Sequence, residues 1–224
     1  MLPGHTATEL FTPDTTDGYE GVIPDPSDDA AAEETTGTTI EERGEVSKPE
    51  VIEVYPHRNS IPNSLWTRLL DATSERLDIL VLAGLFLAED PLFPRTVRQR
   101  TREGLQVRML FGDPCEPEAA KRSTEERLAP STVPTRIRNA MALVRPLAQE
   151  DTVDIRFHRT TLYNSIFRFD DDMIVNMHVY GQPGAYAPAM HLRRLPAGDL
   201  FATYMTSFEQ VWNDSEPAEF EEPR

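Results

Sequence analysis

The sequence predicts an α/β domain, a mixed and mostly parallel sheet flanked by helices, set between two disordered acidic tails. Three observations predict it. Aliphatic runs at Leu77 to Leu82 and Val107 to Phe111 are separated by a helical segment, the pattern of a βαβ unit. A strand pair from Tyr163 to Gly181 carries polar residues at every second position, which in a strand places them on one side. The charge sits at the ends: of the net −16 over 224 residues, residues 1–50 hold 13 acids against 2 bases, and residues 214–224 hold 5 against 1. The middle of the chain is therefore close to neutral.

The first 50 residues are rich in Thr, Glu, Asp, Pro and Gly and poor in large apolar groups, so burial there cannot offset ordering entropy. No cationic segment followed by an apolar one opens the chain, as a secretory signal would. The longest apolar run, Ile79 to Ala88, is ten residues, too short to span a bilayer as a helix. Cys115 is the only cysteine, so an intrachain disulfide is excluded. These readings give a soluble cytoplasmic protein with no membrane contact and one domain at residues 51–213. They also argue against the acidic tails gripping nucleic acid.

Val51 to Tyr55 is a short strand, and Leu65, Trp66, Leu69 and Leu70 follow helical spacing after Pro62-Asn63. Leu77 to Leu82 is the first buried strand. Pro94 to Glu103 is a helix stopped by Gly104, and Val107 to Phe111 completes the βαβ unit. Two helices follow, at Glu116 to Leu128 and Pro134 to Val144, and then a strand from Val153 to Phe157. The hairpin comes next, with Asp170-Asp171-Asp172 at its bend, and Met190 to Arg194 is a further strand. Asp199 is positioned to cap a last helix whose stripe of Leu200, Phe201, Tyr204, Met205, Phe208, Val211 and Trp212 covers the sheet.

The hairpin holds the candidate site. Asn164 and Arg168 share one side of its first strand, and Asn176, His178 and Tyr180 share one side of its second. Read as one face, Asn164, Arg168, Asn176 and His178 are either a hydrogen-bonded polar core or the floor of a binding site, where Arg beside Asn and His would hold a phosphate or carboxylate. His191 and Arg193, on the neighbouring strand, join the set. His57 and His158 read as structural. No His or Cys spacing has a metal signature, the Asp run is turn chemistry, and Asp113 reads as a cap for the helix after it.

The βαβ unit ending in Val107 to Asp113, with helices and then a strand pair bent at acids, resembles one repeat of the phospholipase D-like fold. More closely, residues 51–213 resemble the C-terminal domain of actinobacterial Xre-type helix-turn-helix regulators. Tyr55-Pro56-His57-Arg58, Asp78 to Leu87, the Tyr163 to Gly181 hairpin, His191 to Leu195, and Asp199-Leu200-Phe201 running to Trp212 carry that resemblance. Residues 1–50 offer no helix-turn-helix, so DNA binding is not carried over. The phospholipase D reaction implied by the resemblance needs a His nucleophile and a Lys two residues later. The two lysines, Lys48 and Lys121, follow no His at that spacing. In the family's His and Lys positions the hairpin has Asn164 and Ile166 or, one residue earlier, Tyr163 and Ser165.

The resemblance thus implies a catalytically degenerate sensor or interaction domain, regulatory in transcription or stress response, without cofactor, binding a small phosphate-bearing ligand and pairing as a homodimer. Two alternatives stay open. One is a hydrolase or phosphodiesterase of altered chemistry using His178 or His191; the other is a purely structural dimerisation module.

Overall fold

A computed structural model describes residues 50–220. Residues 1–49 and 221–224, and with them the expectation of a disordered head, lie outside the described residues. The elements run β1 (Val51–Tyr55), α1 (Asn63–Ala72), β2 (Arg76–Leu80), α2 (Leu85–Ala88), α3 (Leu92–Thr101), β3 (Gln106–Gly112), α4 (Pro117–Glu125), α5 (Thr132–Val144), β4 (Val153–His158), β5 (Asn164–Phe169), β6 (Asp172–Met177), β7 (Ala189–Arg193), α6 (Leu200–Asn213) and β8 (Glu216–Pro217). One open sheet takes the order β1-β7-β6-β5-β2-β3-β4-β8.

Strand alternation builds two cores. Leu77, Ile79, Val107, Met109, Ile155, Phe167 and Ile174 point to one face, where α1 to α5 cover them with Leu65, Leu69, Val97, Ile137 and Val144. Leu80, Leu110, Ile166, Met173 and Val175 point to the other, where α6 packs with Phe201 and Phe208. The expected mixed sheet between helices is present. Its pairing differs from the mostly parallel expectation: only β2–β3 and β3–β4 are parallel, and the five other neighbouring pairs are antiparallel. Connection length explains this, since a parallel crossover needs a dozen or more residues and only the helical segments before β3 and β4 are long enough between neighbours.

Two expectations about the ends are corrected. The acidic segment after Trp212 does not leave the fold at residue 214: Glu216–Pro217 pairs with β4, Ala218 N donates to Ile155 O at 2.9 Å, and Ala218 and Phe220 pack against the first core. Those two apolar side chains give this charged stretch something to bury. Asp199 makes no side-chain cap on α6. The cap comes from the other end of the domain, where the buried Glu50 carboxylate accepts from Leu200 N at 2.7 Å and Phe201 N at 3.2 Å. A Cβ at Gly198 would overlap that carboxylate, so the close approach requires glycine. Glu50 thus meets the helix dipole and two orphan N–H groups of α6 with one carboxylate.

Glu50→Ala should lower unfolding free energy by about 1–2 kcal/mol, the usual loss for a helix cap, at an unchanged denaturant slope. Urea melts followed by circular dichroism measure it, and an unchanged midpoint would refute the capping role.

Candidate functional site

The hairpin turn decides which residues meet. Phe169 pairs with Asp172, so the bend consists of Asp170 and Asp171 alone, with Asp170 at φ 51°. Asp170 tolerates that left-handed backbone, and its carboxylate accepts from the N–H groups of Ser74, Glu75 and Arg76 at 2.8, 3.0 and 2.6 Å. A two-residue turn rather than a three-residue one shifts every pairing by one, which moves side chains to the opposite face. Ser165 lies opposite Asn176, and Phe167 opposite Ile174, on the face covered by α1 to α5. Asn164, Ile166 and Arg168 share the α6 face with Met177, Val175 and Met173. The expected single face of Asn164, Arg168, Asn176 and His178 is therefore split in two by the sheet.

Arg168 is an internal residue. Its Nη1 donates to Asp78 Oδ2 at 3.1 Å and its Nε to Asp170 O at 2.8 Å. Asn164 lines a cleft of ≈ 460 Å³ beside α6 with His158, Ser207, Gln210 and Asp214. His191 and Arg193 gather at the bend end of the hairpin, where both bond Asp172: His191 Nε2 lies 2.6 Å and Arg193 Nη2 3.1 Å from its Oδ1. Burial favours the protonated Asp172, and these two bonds outweigh it, so its pKa falls below the usual carboxylate range. The pair stands at the other end of β6 from His178 and does not join it. Tyr180 is exposed in the loop after β6.

Asn176 and His178 do come together, with residues outside the expected set. They form the floor of a cleft of ≈ 380 Å³ with Ser165, and its walls carry Arg58, Phe86, Arg122, Glu126, Arg136 and the Gly184 turn. Of the two registers open for the missing His and Lys, it is the one ending at Ser165 that faces this cleft. Ser165 Oγ is 3.1 Å from His178 Nε2, and His178 Nδ1 is 3.0 Å from Leu162 O. A carbonyl only accepts, so the proton sits on Nδ1, and the Ser165 hydroxyl donates to the free Nε2. Burial, with the nearby Arg122 and Arg58 charges, pushes the His178 pKa down to about 4 against the pull of the Leu162 carbonyl. The imidazole is neutral near pH 7.

The cationic wall comes from three elements. On α4, Arg122 Nε donates to Glu126 Oε1 at 2.7 Å and Nη2 to Gln182 O at 3.2 Å; Arg136 of α5 lies 3.9 Å from the same glutamate. Arg58 stands in the short 3-10 turn after β1, its guanidinium 3.8 Å from the centroid of Phe86. Among the described residues Arg58 has no carboxylate and no side-chain hydrogen bond, and burial pulls its pKa down to about 10. Asn176 is fully buried; its Nδ2 donates to Pro188 O at 3.0 Å, while its Oδ1 has no partner among the described residues. A Cβ at Gly184 would stand 3.3 Å from that Oδ1 and 3.9 Å from Arg58 Nη1, so glycine keeps the space between them open. Among the described residues no three His, Cys, Asp or Glu side chains converge as metal ligands would.

Sequence reasoning missed Arg58 and Arg122 as site residues. Arg58 lies within the Tyr55 to Arg58 phrase, yet nothing local marks it as facing the hairpin more than a hundred residues away.

No protein-family model matches the chain, and no curated protein matches it. Among solved structures it is similar to TrmBL2, an archaeal chromatin protein whose structure shows a novel mode of DNA binding, at 11% identity over 75% of this chain with a TM-score of 0.50. The match spans 55% of the TrmBL2 chain, about half its length. Nuc from Salmonella typhimurium, a phospholipase D family member, is 9% identical over 70% of this chain and 91% of its own, at a TM-score of 0.46. NucT from Helicobacter pylori is 8% identical over 74% of this chain and 96% of its own, at a TM-score of 0.46. At such identities the likeness concerns fold and not chemistry.

Because Arg168 belongs to an internal network, Arg168→Met should destabilise the protein by about 1–3 kcal/mol by stranding its acceptors; thermal melts showing equal or higher stability would make it a ligand contact instead. The His178 shift sets a pH dependence. The unfolded chain takes up this proton near pH 6.5 and the folded chain only near pH 4, so stability is intact above the first value and falls as pH drops between the two. The loss amounts to at most about 3 kcal/mol. Urea melts from pH 7 to pH 4 should show a shallower decline for His178→Gln than for the native chain, and parallel declines would reject the assignment.

Proposed function

We propose that this domain is a phospholipase D-like sensor module, lacking the phosphohistidine chemistry, that holds the phosphate of a small molecule between Arg58 and Arg122. One observation carries the reading: a half-buried Arg58 with no carboxylate partner among the described residues, aimed into a cleft with a second arginine beside it. A partly desolvated, unpaired guanidinium burdens the empty fold, and a bound dianion reverses that cost. Planar guanidinium groups suit phosphate oxygens by parallel hydrogen bonds. The neutral His178 adds no competing charge, and Ser165 supplies a hydroxyl. Nucleotides fit this proposal, since Phe86 and the exposed Tyr186 add aromatic surface to the same cleft.

The resemblance of residues 51–213 to the C-terminal domain of Xre-type regulators supports a regulatory role. Homodimerisation is part of the same proposal, supported by the exposed Tyr163, Val179, Tyr180 and Tyr186.

Inorganic phosphate or a nucleotide at 100 times its Kd should stabilise the native chain by about 2.7 kcal/mol. Arg58→Met should abolish that gain while leaving the unliganded protein as stable or more so. Thermal shift with isothermal titration tests both halves, and undiminished binding by Arg58→Met would overturn the proposal.

A further inference from the structure

We infer that Ser165 is a phosphoryl acceptor and His178 its general base, acting on phosphate esters held by Arg58 and Arg122. The inference rests on the reading of the cleft as a phosphate site, and adds a covalent step that binding alone does not require.

The hydrogen-bond pattern gives each atom one role. Leu162 O fixes the His178 proton on Nδ1, so Nε2 is the acceptor for the Ser165 hydroxyl 3.1 Å away. That is the relation of a nucleophile to its base, with a backbone carbonyl orienting the ring in place of a carboxylate. A core serine bonded for stability alone would need no charged cavity above it. Here Ser165, His178 and Asn176 are the floor of a cleft whose walls hold three arginines against two glutamates, Glu89 and Glu126. Asn176 Oδ1 adds a buried acceptor without a donor among the described residues, suited to a substrate hydroxyl or to the water of a second step.

The same charges regulate the base. In the empty cleft burial and the two arginines disfavour the imidazolium. A dianionic phosphoryl group lying against Arg58 and Arg122 cancels their field at His178, so the proton leaving Ser165 is accepted when substrate is present. Ser165 Oγ then attacks phosphorus and forms the Oγ–P bond as the bond from phosphorus to the leaving oxygen breaks. The Ser165 proton passes to His178 Nε2 and from there to the leaving oxygen, giving phosphoserine and an alcohol. In the reverse sense, water gives its proton to Nε2 and attacks phosphorus, the P–Oγ bond breaks, and the proton returns to Oγ, releasing inorganic phosphate. The balance closes with the phosphate ester and water alone.

The test uses the full chain and p-nitrophenyl phosphate, with inorganic phosphate as the binding probe. Nitrophenolate should appear in a burst approaching about one equivalent per chain before any slower turnover. Mass spectrometry of digests from samples quenched in denaturant at neutral to mildly basic pH, which preserves both phosphoserine and phosphohistidine, should find the phosphoryl group on the peptide that contains Ser165, at Ser165 itself. Ser165→Ala should remove the adduct, and His178→Gln should slow the burst by about 100-fold or more. Phosphate binding without burst or adduct in the native chain would overturn this inference and leave the proposed function standing. An adduct on His178 or Tyr163 would overturn the role of Ser165, and failure to bind phosphate at all would remove the site reading beneath both. Because the native chain alone decides between these results, poor folding of either variant does not shelter the inference.

Discussion

The fully buried carboxylate of Asp78 is the interaction on which the rest of the structure depends. It sits on β2 at the centre of the sheet, with Arg168 of β5 on one side and Arg108 of β3 on the other as register neighbours. Its Oδ2 accepts from Arg168 and its Oδ1 from Arg108 Nε at 2.7 Å. Arg108 then makes a two-pronged bond to Glu209 of α6, at 2.9 and 2.7 Å, with its guanidinium 4.7 Å from the Phe208 ring centroid. One ion network therefore joins the antiparallel half of the sheet, the parallel half and helix α6 on that face. Such a network adds less net stability than apolar residues of equal volume would, because two charges are desolvated for each bond made. What it supplies is uniqueness: each member lacks a partner unless β5, β2, β3 and α6 are all in this register.

That register has a consequence on the opposite face. With Arg168 held to Asp78, the odd-numbered positions of β5 point away from α6, and Ser165 is delivered to the floor of the cleft. The two-residue turn at Asp170-Asp171 brings Asn176 and the histidine just beyond β6 to the same floor. Asp170 does this while binding three N–H groups ahead of β2, so the turn, the start of the central strand and the site floor are set by one side chain. Glu50 performs a similar long-range service for α6.

The cleft is lined by three arginines and two glutamates and not by apolar side chains alone. Satisfied charges line its α4 and α5 side, where Glu126 binds Arg122 and stands near Arg136. Arg58, without a carboxylate partner among the described residues, closes the other side, resting on Phe86. The imidazole between them is kept neutral by burial and by those arginines. Anion binding and proton affinity are thereby linked: whatever neutralises the arginines makes His178 a better base. A sensor and a phosphoryl acceptor draw on the same linkage, which is why one cleft serves both proposals without additional machinery.

The amino-acid sequence by itself determined where the elements lie and which residue spacings occur. Hydrophobic periodicity located β3, α5 and α6 to within a few residues, because the side of a strand or helix is set by neighbours along the chain. No Lys stands two residues after any His in the chain. Tertiary structure alone decided the rest. The count of turn residues between β5 and β6, two and not three, split Arg168 from His178 and replaced the expected polar face with Ser165, Asn176 and His178. The capping carboxylate of α6 came from Glu50 and not from Asp199, and apolar residues 218 and 220 drew an acidic tail onto β4. Arg58, Arg122 and Ser165 are separated by long stretches of chain and belong to no common pattern. Their meeting follows from the strand order and from connection length, which depend on what each segment finds to bury against, and no local periodicity encodes that.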